Sequence, residues 1–453
     1  MSRAFDTLLV ANRGEIAVRV IRAARELGLK TVAVFSEADA GSLAVQMAHA
    51  AISIGPAAAS KSYLNVEAVL EAARRSGAGA VHPGYGFLSE NAAFAQAVED
   101  AGMVFVGPTP ESIRNMGDKA AARAAAMRAG VPTVPGSTGV VDSVDEAAVI
   151  ARDIGYPVMI KASAGGGGRG IRVAADEQQL RQQMAPAQAE AKAAFGNGAL
   201  YLERFIRRAR HIEVQVLGDG HEVVHCFERE CSLQRRRQKL WEEAPSQAVS
   251  ASTRAALCES ALKLARAVAY RGAGTVEYLY DDDTGEFFFI EMNTRIQVEH
   301  PVTEMVTGID LVREMLRIAL GEPLRLKQSD IALRGAAIEV RINAENPAKN
   351  FMPSPGHVVG LRIPGGPGVR FDSMLFAGYK VPPYYDSLLG KLIVHDESRG
   401  AALARLTQAL SELNIDGIHT TTALHQRLAV DADVVAGRFD TGFIERWLPD
   451  HPL

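Results

Sequence analysis

Residues 7–11 form a short, unbroken apolar run of the kind that fills a buried strand, and a polar turn follows at 12–15. From 16 to 27 the apolar positions Ile16, Val20, Ile21, Ala24 and Leu27 recur at helical spacing, with Arg19, Arg22, Arg25 and Glu26 on the polar side. Gly28 stops that helix, and residues 31–35 read as the next strand. Such a strand–helix–strand unit implies a parallel sheet of nucleotide-binding type. The glycines do not follow G-x-G-x-x-G, so a dinucleotide site gains no support. A further cycle supplies a helix over 65–76, a strand over 79–82, a turn-rich segment at 83–91, another helix and a strand over 104–106.

This first, Rossmann-like domain closes at 115, and a linker helix over 116–132 leads out of it. Residues 133–205 mix one helix, strands and a glycine run, a size that suits a mobile lid. From 211 the pattern turns antiparallel. Residues 211–217 alternate strictly, turn at 218–220 and return over 222–227. The region 206–453 continues as α+β, with hairpin-like strands over 335–394 and a helix over 400–413. The fold class is therefore α/β followed by α+β.

The segment 287–300 begins as an apolar strand and then places Glu291, Asn293, Arg295, Gln297 and Glu299 close together. Apolar strands gain no stability from such groups, because buried charge is costly unless paired or bound to a metal. Residues 275–280 form a second strand carrying Glu277, joined to the first by a polar connection at 281–286. Period-two alternation can put Glu277, Glu291 and Asn293 on one face of that hairpin. Two carboxylates and an amide oxygen suit Mg²⁺, a hard cation that also holds substrate phosphates.

Gly165, Gly166, Gly167, Gly168 and Gly170 follow the strand 158–161. Consecutive glycines are entropically expensive to order, and they make sense where backbone N–H groups wrap phosphates. A flexible surface loop is the plainer alternative, and no G-K-[ST] ends the run as in a Walker A motif. Lys161 on the preceding strand is a candidate phosphate contact and Lys119 a weaker one, since an isolated lysine is more often a solvated charge. Residues 230–239 hold Arg235, Arg236, Arg237 and Lys239, equally readable as a solvated face or an anion site. Glu299 near Arg295 and Arg341 would stay ionised and could act as a base, with a structural salt bridge as the common alternative. His211, beside an arginine at the start of a strand, is a structural donor or a phosphate ligand.

Charge narrows the partners. Lys plus Arg at 49 against Asp plus Glu at 53 leaves a net charge of −4, which suggests no nucleic acid and no acidic membrane as partner. Three cysteines with no C-x2-C pair indicate neither a disulfide framework nor a zinc site, in keeping with reduced thiols and a cytoplasmic location. Neither signal-peptide architecture nor an apolar run of membrane-spanning length is visible.

Four segments together resemble biotin carboxylase, the ATP-grasp component of biotin-dependent carboxylases. They are Ala11-Asn12-Arg13-Gly14-Glu15-Ile16-Ala17, the run from His82 to Asn91, the loop from Gly165 to Gly170, and the run from Glu291 to Glu304. The resemblance extends over residues 4–448. It implies an ATP-grasp fold with an N-terminal domain, a lid and a C-terminal biotin carboxylase domain. It further implies an ATP site made by Lys119, Lys161, His211, Gln234 and the glycine loop, with Glu203 near the adenine. Glu277, Glu291 and Asn293 would hold Mg²⁺ or Mn²⁺, and Lys239 and Arg295 would bind bicarbonate. Glu299 would be the general base, and Arg341 would steady charge on the biotin ureido oxygen.

Arg237 stands where the familiar bacterial fatty-acid-synthesis pattern has histidine; it keeps a positive charge able to reach a phosphate. With Trp241, it weakens the resemblance to the ordinary acetyl-CoA carboxylase subunit. No Met-Lys-Met biotin-attachment motif is present, and little follows Trp447. The expectation is thus a free-standing, homodimeric subunit acting on biotin carried by a separate carrier protein, with separate carboxyltransferase subunits.

Overall fold

The computed structural model describes residues 4–141, 143–162, 171–195 and 198–452. Two compact units emerge. One comprises 1–131, 210–279 and 291–453, the other 132–209 and 280–290.

In the first unit, five parallel strands lie in the order Ala50–Ser53, Lys30–Phe35, Thr7–Val10, Ala80–His82, Val104–Phe105. Helix Gly14–Glu26 buries Ile16, Val20 and Ile21 against this unit's core, as its spacing predicts. Asn12 ties two of the sequence motifs together by donating to the Pro83 and Tyr85 carbonyls at 2.6 and 2.8 Å. Gly84, at φ +64°, sits against that amide; a Cβ there would lie 2.8 Å from Asn12 Nδ2. The turn it permits leads to Glu90, whose carboxylate accepts from Thr294 N at 3.1 Å and Arg295 Nε at 2.8 Å.

An eight-stranded sheet is built mainly from residues of this unit. Its order is Phe287–Asn293, Arg271–Asp281, Ala209–Asp219, Val223–Arg235, Gln238–Ala244, Ala336–Asn343, Leu388–Asp396, Val369–Ser373. One face is apolar: Ile338, Val340, Leu392 and Val394 pack with Leu403, Leu406 and Leu410 of helix Arg399–Glu412. Strict alternation turns Glu339 and Arg341 to the opposite face. Likewise Ile212, Val214 and Val216 alternate with Glu213 and Gln215, yet both polar side chains are fully buried. The polar face of this sheet is interior.

The second unit has a three-stranded antiparallel sheet in the order Ile171–Ala174, Val158–Ala162, Leu200–Arg204. Where the sequence suggests one helix there are two, Val144–Ile154 and Glu177–Phe195. The longer one carries Pro186 internally, a residue that argues against helix on sequence alone. Ala147, Ala151, Leu180 and Met184 pack with Val158, Ile160, Leu200 and Leu202. Segment 280–290, read from sequence as part of the 206–453 region, also clusters here. Phe289 N donates to Pro132 O at 2.7 Å, and Arg204 pairs with Glu286 at 2.7 Å.

Candidate active site

Lys239 is the hub of the interior polar face. Its ammonium lies 2.6 Å from Glu213, 3.0 Å from Glu277 and 2.6 Å from Glu299. Burial acts to lower its pKa, but the three carboxylates outweigh this and raise it well above the usual lysine value. Burial would likewise raise Glu299, and the charges of Lys239 and Arg341 overcome that, holding the carboxylate ionised below its ordinary range. Arg341 bridges outward, with Nε donating to Glu242 at 2.6 Å and Nη2 to Glu299 at 3.1 Å. Glu299, Lys239 and Arg341 are thus in one contact network. An ionised carboxylate between two fixed cations, with 2 % of its side chain exposed, can accept a proton from a weak acid bound beside it.

Glu277 Oε1 accepts from Lys239, from Asn293 Nδ2 at 2.9 Å and from Gln297 Nε2 at 2.8 Å. Asn293 Oδ1 in turn accepts from Arg295 Nη2 at 2.8 Å. Despite burial, Lys239 and His211 hold Glu277 well below the usual carboxylate range. Glu291 behaves oppositely, with burial and then the Glu277 charge pushing it up. Two acidic groups that repel one another across a polar strand pair fit a divalent cation, which relieves that repulsion. Donor atoms of His211, Glu213 and Glu277 also lie within 4.8 Å of one another, so the acidic centre extends past the expected trio.

His211 Nε2 is 3.2 Å from Glu277 and 3.4 Å from Glu213. Burial disfavours its charge, but the Glu277 and Glu213 carboxylates together outweigh it and the imidazole is pushed up to about 9. A raised histidine pKa contributes stability that is fully present below 6.5 and lost as pH climbs through about 9. In the metal-free protein the His211 ring is therefore expected to titrate near 9 by NMR. A midpoint at or below 6.5 would contradict this pairing.

The basic run resolves into a hairpin. Val223–Arg235 and Gln238–Ala244 are joined by Arg236 and Arg237, both at positive φ. Arg235 stacks on Phe351 at 3.8 Å and donates to Asn350 Oδ1 at 2.9 Å, while Arg237 points out at the exposed turn. Gln234 donates to the Cys231 carbonyl at 2.9 Å. Trp241 is buried and donates to Glu243 at 2.8 Å. Lys119 is exposed at the first position of helix Lys119–Arg128. In the second unit Lys161 pairs with Glu203, side by side with Tyr201 on the neighbouring strand. Gly165, Gly166, Gly167, Gly168 and Gly170 lie outside the described residues.

Several site residues escape a reading of the sequence. Arg229, with no exposed surface, uses all five N–H groups on Glu213, Gln215, Thr303, Thr275 and Gln297. It fixes Glu213, which fixes Lys239, and Gln297, which reaches Glu277. Glu90 and Glu242 anchor Arg295 and Arg341 from distant parts of the chain.

Comparisons with known proteins identify this framework as the ATP-grasp fold of a ligase family. Three family models match: the biotin carboxylase N-terminal domain over 4–113, the carbamoyl-phosphate synthase L chain ATP-binding domain over 118–327, and the biotin carboxylase C-terminal domain over 339–446. Biotin carboxylase 1 of Bacillus subtilis is 53% identical over 441 residues, covering 97% of this chain and 98% of that protein. Among solved structures, the biotin carboxylase domain dimer of Hydrogenobacter thermophilus 2-oxoglutarate carboxylase, in complex with MgADP, ADP and bicarbonate, is 48% identical. Its TM-score is 0.88, with 98% of both chains covered. The biotin carboxylase subunit of pyruvate carboxylase is also 48% identical, with TM-score 0.89 and 98% of both chains covered. The chain belongs to the biotin carboxylase family of biotin-dependent carboxylases.

Proposed function

We propose that this chain carboxylates biotin held on a separate biotin carboxyl carrier protein, using ATP and bicarbonate, as the first half-reaction of acetyl-CoA carboxylase. The observation that carries this reading is Glu299, kept ionised between Lys239 and Arg341. Glu299 takes the proton of bicarbonate, which Lys239 and Arg295 hold. The bicarbonate oxygen then attacks the γ-phosphorus of ATP, the bond to ADP breaks, and carboxyphosphate forms. Carboxyphosphate breaks down to CO2 and phosphate. The phosphate takes the N1 proton of biotin, N1 bonds to CO2, and Arg341 steadies negative charge on the ureido oxygen.

Lys119, Lys161, Glu203, His211, Gln234, Arg237 and the loop from Gly165 to Gly170 are assigned to the nucleotide. Glu277, Glu291 and Asn293 would hold Mg²⁺ or Mn²⁺, which supplies charge neutralisation for the phosphates. Binding of MgADP and bicarbonate by the Hydrogenobacter relative supports these ligands, and its dimer supports a homodimer here. Three free, buried cysteines are in keeping with a cytoplasmic location, and among the described residues no helix is long and apolar enough to cross a membrane.

The carboxyl acceptor is the finer point. Neighbours from 2-oxoglutarate and pyruvate carboxylases, together with Arg237, favour a second reading in which the same half-reaction serves another acyl-CoA, pyruvate or urea-type transferase. Release of ADP by the purified chain with MgATP, with and without bicarbonate and free biotin, tests the half-reaction. Transfer from the carboxylated carrier to acetyl-CoA by the co-purifying transferase tests the acceptor. Arg237→His is expected to retain substantial ATP-cleavage activity, because the residue sits at an exposed turn and histidine, which stands there in the familiar bacterial pattern, can also contact a phosphate. Complete inactivation would give the arginine a role that charge alone does not supply.

A further inference from the structure

Beside Arg341, which also donates to Glu299, lie two glutamates that the mechanism above does not use. Glu242 and Glu339 occupy directly paired positions on adjacent antiparallel strands, with no exposed surface on either. Side chains so paired stand on one face, about 4.5–5.5 Å apart at Cβ. Of their four carboxylate oxygens, Glu242 Oε1 accepts from Arg341. The other three, Glu242 Oε2 and both oxygens of Glu339, are enclosed with no donor among the described residues. An ionised carboxylate in that setting is an uncompensated buried charge, whereas a protonated one is tolerated.

We propose that Glu242 and Glu339 hold one proton between them and act as a single titrating carboxyl pair that positions Arg341 toward Glu299 when the pair carries one negative charge. This rests on the proposed roles of Glu299 and Arg341.

Among the described residues, the charges facing the pair leave no cation free to neutralise a second anion, and the Glu299 carboxylate adds repulsion. Arg341 is shared between Glu242 and Glu299. Lys239, on the Glu242 strand, is spent on Glu213, Glu277 and Glu299. Lys391, opposite Arg341 on the next strand, donates to the Val298 carbonyl at 2.7 Å and pairs with Glu15 at 3.2 Å. His300, buried near Lys391, is pushed well down by burial and is neutral. Burial likewise drives Glu339 well above the ordinary carboxylate range, against the pull of Lys391 and with the Glu242 charge adding to it. Burial raises Glu242 to about 7 against the pull of Arg341. Above neutrality the proton therefore sits on Glu339, and Glu242 is the charged partner of Arg341. Acidification adds a second proton, discharges Glu242 and frees the guanidinium.

Infrared spectroscopy of the ligand-free protein reads this without turnover, so it stands or falls apart from the catalytic reading. At about pH 8 a protonated-carboxyl band is expected, shifted by 13C-glutamate labelling and lost in Glu339→Gln. Absence of any glutamic-acid band in the labelled wild-type protein overturns the proposal, even if the variant does not fold. In biotin-dependent ADP release, E339Q is expected to cost less than about three-fold. Glu242→Gln should cost more than about thirty-fold and flatten the acidic limb of the pH–rate profile. A folded E339Q that loses more than about thirty-fold, or an acidic limb that persists in E242Q, would also overturn it.

Discussion

Glu299→Gln is expected to abolish bicarbonate-dependent ATP cleavage while leaving MgATP binding largely intact. Glutamine keeps the shape, and its one carbonyl oxygen can still accept from Lys239 as Glu299 Oε1 does at 2.6 Å, while the amide nitrogen that replaces Oε2 cannot accept from Arg341. It cannot take a proton from bicarbonate. Loss of a positioned general base costs about 10²–10⁴ in rate, and that range is the expected fall in ADP release. Folding should survive, because Lys239 still faces Glu213 and Glu277 and Arg341 still holds Glu242. Steady-state ADP release and equilibrium nucleotide binding, measured on the same preparation, separate the two effects. A wild-type rate in this variant would remove Glu299 from the role of base.

Lys239→Met should be the more damaging change to the protein itself. The substitution removes the one ammonium that Glu213, Glu277 and Glu299 share, leaving buried carboxylates with reduced compensation. Breaking a buried ion pair by deleting one partner costs about 3–5 kcal/mol. The variant is expected to unfold at a clearly lower temperature and to lack ATP cleavage. Because Mg²⁺ brings positive charge back to the acidic centre, Mg²⁺ alone should raise the melting temperature of the variant more than that of the wild type. Equal shifts would show that the cation does not relieve the repulsion left at this centre.

Much of this arrangement is legible in the chain. Helical spacing at Ile16, Val20 and Ile21 and the apolar run from Thr7 give the first parallel layer, and alternation from His211 gives the antiparallel one. Placement of Glu277 and Asn293 on one face follows from period two and is met by their 2.9 Å hydrogen bond. Glu213 and Arg229 are harder, for a physical reason. In an antiparallel strand the polar face usually meets water, so Glu213 and Gln215 look like solvated positions until neighbouring elements are seen to cover them. Arg229 lies within a segment that reads as ordinary strand, and its five partners come from four other parts of the chain. Glu90 is distant from Arg295 by 205 positions, a pairing no local pattern can supply. The basic run was ambiguous because a two-residue turn sends Arg237 outward and Lys239 inward, a distinction made by the positive φ of Arg236 and Arg237.

Incorporation of labelled bicarbonate into biotin is the most direct test of the central claim. Purified protein with MgATP, 14C-bicarbonate and biotin, free or on a carrier, is expected to form acid-labile carboxybiotin in an ATP-dependent reaction that Glu299→Gln lacks. Folded, ATP-binding protein that fixes no label even on a biotinylated carrier would contradict it.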